Sequence, residues 1–261
     1  MSEIHIPSLI PDTIFHIGNF PVTNTMVNAV LATGILLLIG IVISRSTRLR
    51  PGKFQNACEF FLESLLGYFD QVTGSRAKSL KFLPLAGSVF FFILLSNWLG
   101  LLPGTGSILS GHEPVLRPAN TDLNLTVAMA LVSVITSHIV GLASVGIFTH
   151  LNKFFPLGTI VKSLRKGPVA IFTALVEGVV GIIEVIGEFA KVLSLSLRLF
   201  GNVFAGEVLI SVIGALVGVL VPTPFMLLEL LVGLIQAAVF TMLTLVYLTV
   251  MSEAPHGSEE H

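Results

Sequence analysis

The chain has 261 residues, 53% hydrophobic and 11% charged, with a mean hydropathy of +0.92 and a formal net charge of −1. A soluble domain carries about a quarter charged residues, so this is the composition of a membrane protein, and the charge gives no footprint for nucleic acid. The single cysteine, Cys58, excludes an internal disulfide and argues against a cysteine metal cluster.

Residues 1–25 lack the basic n-region and continuous apolar run of a cleaved signal peptide, so they read as an outer segment before a retained first helix. A spanning helix needs about 20 apolar residues. Candidate spans are Met26–Ser44, Phe82–Leu102 and Leu123–Thr149. Between the first two, Phe54–Phe69 is too short and polar to cross. Its Gln55, Glu59 and Glu63 recur every four residues, which fits an amphipathic helix on the cytoplasmic surface; a packed linker helix fits equally.

The last apolar region, Val169–Met251, is interrupted by Val221-Pro-Thr-Pro224. Two prolines in four residues break a helix, so the region reads as helices over 169–220 and 225–250 forming a hairpin, then a tail, 251–261. At 1.5 Å per residue the first of these is roughly 75 Å long against a hydrocarbon core of about 30 Å, so it must tilt, break or project. The expected fold is all-α and polytopic: a single integral membrane domain of about five transmembrane helices plus the amphipathic helix, with no 20–50-residue repeat.

Of the 14 Lys and Arg residues, 11 lie in two stretches. Arg45, Arg48, Arg50, Lys53, Arg76, Lys78 and Lys81 separate the first two spans; Lys153, Lys162, Arg165 and Lys166 precede the hairpin. The 103–121 loop has only Arg117. By the positive-inside rule the basic loops face the cytoplasm, the N-terminus lies outside, and the hairpin returns the C-terminus to the cytoplasm.

The hairpin helices also carry charge. Glu177, Glu184, Lys191 and Arg198 are spaced seven apart and form a stripe that drifts about 20° per step. Ser194 and Asn202 lie one turn to either side of Arg198, and Glu207 falls on the opposite face. An arginine at mid-bilayer costs about 2.5–3.5 kcal/mol on insertion scales, so its default reading is an ion pathway or a partner charge. Arg198 has no carboxylate at i±3 or i±4, which points to a charge from elsewhere, such as another subunit. The bland alternative is a set of buried ion pairs, Arg198 with Glu184 or Lys191 with Glu188, that merely lock helices. On the last helix Glu229 and Gln236 share a face; counting back from the proline turn puts Gln236 level with Glu207 and Glu229 nearer the turn.

At these residues the chain resembles subunit a of rotary F-type ATP synthases. The motifs are Ser-Leu-Arg198-Leu-Phe-Gly-Asn202 with Ala-Gly-Glu207, and Gln236 through Tyr247 on the last helix. Upstream matches occur in order: Phe20-Pro-Val-Thr-Asn24, Gly52-Lys-Phe-Gln-Asn56 with Glu59, Asn97-Trp-Leu-Gly-Leu-Leu-Pro103, and Pro118 through Thr126.

The resemblance implies a proton-translocating stator subunit beside a rotating c-ring with one membrane carboxylate per ring subunit. Two offset half-channels would load and unload those carboxylates. Arg198 would face the ring, favour the ionised carboxylate as it passes and block a proton short-circuit. Each charge moved through 100 mV is worth about 2.3 kcal/mol, so the leak must be closed. By position, Asn202, Glu207, Glu229 and Gln236 match the outer half-channel. Asp122 and Asn124 form an outer vestibule, and Glu184 with Ser194 suits the cytoplasmic half-channel. Two nearby carboxylates repel when both are ionised, so one of Glu207 and Glu229 is expected to hold a proton.

The same resemblance implies c-ring and peripheral-stalk b subunits as partners, besides the lipid bilayer, in a cell (inner) membrane. The ion is a proton, with sodium as the other candidate, since the ring largely sets that choice. No phosphate-binding loop, zinc pattern or nucleophile triad is present, so no cofactor or metal is expected and ATP chemistry must reside on other chains. His138 reads as a packing residue or part of a hydrated path, and Trp98 with Asn97 as an interface anchor. The competing function is a self-contained proton-coupled secondary transporter, although the inverted halves common in that class are not visible.

Overall fold

The computed structural model describes residues 8–48, 51–102, 109–110, 113–147, 149–150, 168–217 and 221–253. The basic residues Lys153, Lys162, Arg165 and Lys166, the histidines His5, His112, His256 and His261, and the side chain of Glu177 lie outside them.

Six long helices account for most of the described chain: α1 (Asn24–Ser46), α2 (Lys53–Thr73), α3 (Arg76–Leu101), α4 (Leu123–Val145), α5 (Pro168–Val217) and α6 (Pro222–Ser252). All but α2 are long and apolar enough to cross a membrane. Such helices hydrogen-bond their own backbone, which a bilayer core requires. Accordingly α1 turns Leu37, Leu38, Ile39, Ile41 and Val42 outward while Asn24, Thr25, Asn28 and Ala32 are buried.

Several boundaries move from the expected ones for local reasons. Thr23 caps α1, its hydroxyl accepting from the Met26 amide at 3.3 Å. Asp122 caps α4 by accepting from the Asn124 amide at 2.9 Å. The third expected span, α4, stops at Val145, short of Thr149, because Gly146 adopts φ 88°, a conformation other residues rarely take. The last helix starts at Pro222 and takes both prolines into its first turn, where a missing amide costs nothing.

The N-terminal segment carries a hairpin absent from the helical reading. Strand β1 (Thr13–Ile17) pairs antiparallel with β2 (Phe20–Thr23), Ile17 opposite Phe20, across a Gly18-Asn19 turn. Gly18 has φ 64°, as a tight two-residue hairpin turn demands. A second, two-residue pairing joins β3 (Leu109–Ser110) to β4 (Glu113–Pro114), ahead of a 3-10 turn at Ala119–Thr121.

The apolar core gathers Phe82, Phe90 and Ile93 of α3, Ala130 of α4, Leu195, Leu199 and Val203 of α5, and Phe240, Leu245 and Leu248 of α6. Helix α6 packs more extensively on α3 and α4 than on α5, although the two arms of the hairpin also touch. Helix α2 packs on the bundle through Leu65, Leu66 and Phe69, which are buried, whereas Phe54, Phe60 and Tyr68 are exposed. At one end of the bundle, Lys78 at the start of α3 pairs with Glu253 just after α6 at 2.8 Å. At the other end, Asn24 bonds Asp12 and the Pro114 carbonyl at 3.3 and 3.4 Å.

Candidate functional site

Helix α5 buries Leu195, Leu199, Val203 and Gly206, a 3.6-period stripe that faces its neighbours. Arg198 lies beside that stripe and is exposed. Its Nη2 donates to Ser194 Oγ, one turn back, at 3.3 Å, and among the described residues no carboxylate pairs with it. Ser194 and Asn202 are exposed on the same face. A cation held by one neutral hydroxyl keeps most of its donors for a partner outside the chain.

Nine residues on, Glu207 turns to the opposite side and meets Arg117, from the loop before α4. Arg117 Nε donates to Glu207 Oε1 and Oε2 at 2.9 and 3.0 Å, and Nη2 donates to Oε2 at 2.9 Å. The same Nη2 donates to the Ser8 carbonyl at 2.8 Å, and the Phe204 ring centroid lies 6.0 Å from the guanidinium carbon. Arg117 is 2% exposed and Glu207 20% exposed. The bidentate match of a planar guanidinium to a carboxylate is what makes such a charge tolerable in a dry site.

Glu229 joins this cluster from α6. It is 8% exposed, and its carboxyl rests so closely on Gly206 that a Cβ there would collide with it. Symmetric counting from the turn had set Glu229 nearer the turn than Glu207; instead its carboxyl touches the residue before Glu207. The two arms touch with an offset along their lengths, so equal distance from the turn does not mean equal depth. Trp98 assists by donating from Nε1 to the Leu230 carbonyl at 3.1 Å, tying α3 to α6 beside Glu229. Close by, Asn120 donates to Asn97 at 2.7 Å, both side chains buried.

A second polar cluster lies on the other side of Arg198. Lys191 Nζ donates to Glu188 Oε1 at 2.6 Å and sits 5.0 Å from the centroid of the Tyr247 ring. The other Glu188 oxygen is 3.4 Å from His138 Nε2, and His138 Nδ1 is 3.2 Å from His150 Nε2. The helix-locking ion pair weighed for Lys191 and Glu188 is therefore present, and His138 belongs to a histidine pair rather than standing alone. Glu184 is half-buried one turn before Glu188.

The remaining candidates are more scattered. Asp122 spends one oxygen on the α4 cap, while Thr25 Oγ1 donates to the other at 3.4 Å, a structural use of both. Asn124 is exposed in the first turn of α4, and Gln236 is half-buried on α6. Among the described residues, no hydrogen bond links the side chains of Asn124, Asn202 and Gln236 to another candidate. No group of three His, Cys, Asp or Glu side chains there could hold a metal ion. Sequence reasoning missed Arg117 and Gly206. The signal for Arg117 was its isolation, the one basic residue outside both basic stretches and α5. Gly206 stands inside the Ala-Gly-Glu207 motif, but only packing shows what lies against it.

Comparison with known proteins covers nearly the same span. Residues 26–249 match the family model described as ATP synthase A chain. ATP synthase subunit a of Moorella thermoacetica is 34% identical over 239 residues, 91% of this chain and 94% of that protein. The subunit a proteins of Geotalea daltonii and Geobacter sulfurreducens are 34% and 31% identical, covering 87% and 85% of this chain and 86% and 84% of theirs. The motifs around Arg198, the five apolar helices and these matches agree on a multi-pass membrane subunit of the synthase's proton channel, with ATP chemistry on other subunits. The chain belongs to the ATP synthase subunit a family.

Proposed function

We propose that this chain forms two offset half-channels that deliver protons to, and collect them from, carboxylates of the rotating c-ring, with Arg198 as the gate between them. The observation that carries this reading is the position of Arg198. It is exposed on α5, without a carboxylate partner among the described residues, and it lies between two polar clusters. Glu188 and Glu207 are ten and nine residues from it, about 15 and 14 Å along a helix.

Glu207, Glu229, Gln236 and Asn202 line the outer half-channel, with Asp122 and Asn124 at its mouth; Glu184 and Ser194 serve the inner one. The fixed guanidinium charge stabilises an ionised ring carboxylate and repels a proton that would pass straight through. The basic stretches support a cytoplasmic side for residues 45–81, and the Lys78–Glu253 bond supports a C-terminus on that side, with the N-terminus outside. Exposed aromatic residues on α2, Phe54, Phe60 and Tyr68, offer a surface for the peripheral-stalk b subunits.

The test is ATP-driven proton pumping in membrane vesicles holding the assembled complex, wild type against Arg198→Ala. Loss of pumping with normal assembly is the expected result. Coupled pumping that persists in the variant would return Arg198 to a structural role.

A further inference from the structure

The outer cluster holds two acids in very different surroundings. Glu207 is gripped at both oxygens by a guanidinium that is 2% exposed. Arginine stays protonated under all physiological conditions. A proton on Glu207 would leave the buried Arg117 guanidinium without its counter-charge, which is strongly unfavourable. Glu229 has no such grip. Among the described residues no donor reaches its carboxyl, which is buried against the backbone at Gly206.

Resting on the stator reading above, we propose that Arg117 is a positioning residue of the outer half-channel: it clamps Glu207 as a permanent counter-charge and leaves the Glu229 carboxyl as the group that takes up and releases the travelling proton. The balance is simple. A hydronium ion on the outer side gives its proton to the Glu229 carboxylate and leaves as water, and the carboxyl passes that proton to an ionised ring carboxylate. No charge is left on Glu229 after each cycle beyond what it began with. Gly206 is part of the device, because any side chain there would push the Glu229 carboxyl out of place. Arg117 also ties the site to the outer segment through the Ser8 carbonyl, which sets the depth of Glu207 against that segment.

The experiment uses the complete synthase in inverted vesicles, reading ATP-driven proton pumping per assembled complex together with infrared difference spectra of protonated carboxyl groups. Glu229→Gln is expected to lower pumping by about a hundredfold, the usual worth of a positioned proton-transfer group. Arg117→Ala should lower it about tenfold or more by releasing Glu207. Arg117→Lys should recover part of the loss by keeping the charge. The double variant Arg117→Gln with Glu207→Gln should pump better than Arg117→Ala, because neither charge is left stranded. A protonated-carboxyl band should vanish in Glu229→Gln and persist in Glu207→Gln.

The proposal is overturned if that band instead vanishes in Glu207→Gln, or if the double variant assembles yet pumps no better than Arg117→Ala. Should Arg117→Ala fail to assemble, the lysine variant and the infrared bands decide alone. Arg198→Ala is run beside these. Pumping that survives it defeats the stator reading itself, whereas its loss together with either overturning result defeats only the role given to Arg117.

Discussion

Around Glu207 the compensating charge arrives from a distant loop, 90 residues away in sequence; around Glu188 it comes from the same helix, three residues on. The outer cluster therefore exists only if the Arg117 loop closes over α5, while the inner pair is assembled as soon as α5 forms. Among the described residues the outer site sets two carboxylates against one guanidinium. At the inner site Glu188 pairs directly with Lys191, with two histidines beside it and Glu184 one turn away. A surplus buried acid is a place to put a proton. A balanced pair is a strut. The difference suggests that substitutions at the outer cluster should change turnover, and those at the inner pair should change assembly.

The largest break expected after Arg198→Ala is at Gly206. Replacing it with Ala drives a Cβ into the Glu229 carboxyl. That carboxyl is the mobile end of a side chain, so assembly should survive while pumping falls about a hundredfold, the cost of a misplacement near 1 Å. Pumping at wild-type level would show that the position of Glu229 does not matter, and the contrast between clusters would lose its basis. At the inner cluster, Lys191→Ala leaves Glu188 beside His138 alone. It should cost about 1–3 kcal/mol in stability of the complex, read as a lower yield of assembled enzyme, with near-normal pumping per complex. If pumping falls and yield does not, the inner pair is part of the path.

A smaller effect is expected at the buried Asn97–Asn120 bond, which supports the turn carrying Arg117 toward α5. Asn120→Ala should destabilise by about 1–2 kcal/mol, and by loosening the loop it should weaken pumping in the same direction as Arg117→Lys. The smallest effect concerns pH and lies outside the clusters. Asp70 of α2 is held below the usual carboxylate range by Ser79 and by the Arg76 guanidinium, 2.9 Å away. Because the folded value is depressed, its contribution is present at neutral pH and is lost as pH falls through that depressed range. Hydrogen exchange in α2 should accelerate on acidification, and Asp70→Asn should abolish the acid-dependent part. An unchanged acid dependence in the variant would remove Asp70 as its source.

Much of this architecture is legible without coordinates. Apolar runs long enough for a bilayer and the Pro222–Pro224 interruption lead to five helices apolar enough to cross a membrane and a terminal hairpin. These properties are local: helix propensity, hydrophobic length and charge each act within one segment, so one segment suffices to read them. The outer β1–β2 hairpin was also legible in principle, since Gly18-Asn19 between short apolar runs is a turn signal.

What only the tertiary structure decided is which charges meet. Seven-residue spacing put Glu184, Lys191 and Arg198 on one stripe, yet Lys191 turns to Glu188 and Tyr247 while Arg198 stays exposed. Counting from the turn misjudged Glu229, because the two arms meet with an offset that only their packing sets. Nothing local pairs Arg117 with Glu207 or sets a glutamate against Gly206. In the bilayer a charge takes whichever partner the packing of separate helices brings within about 3 Å, and that packing is a property of the whole bundle.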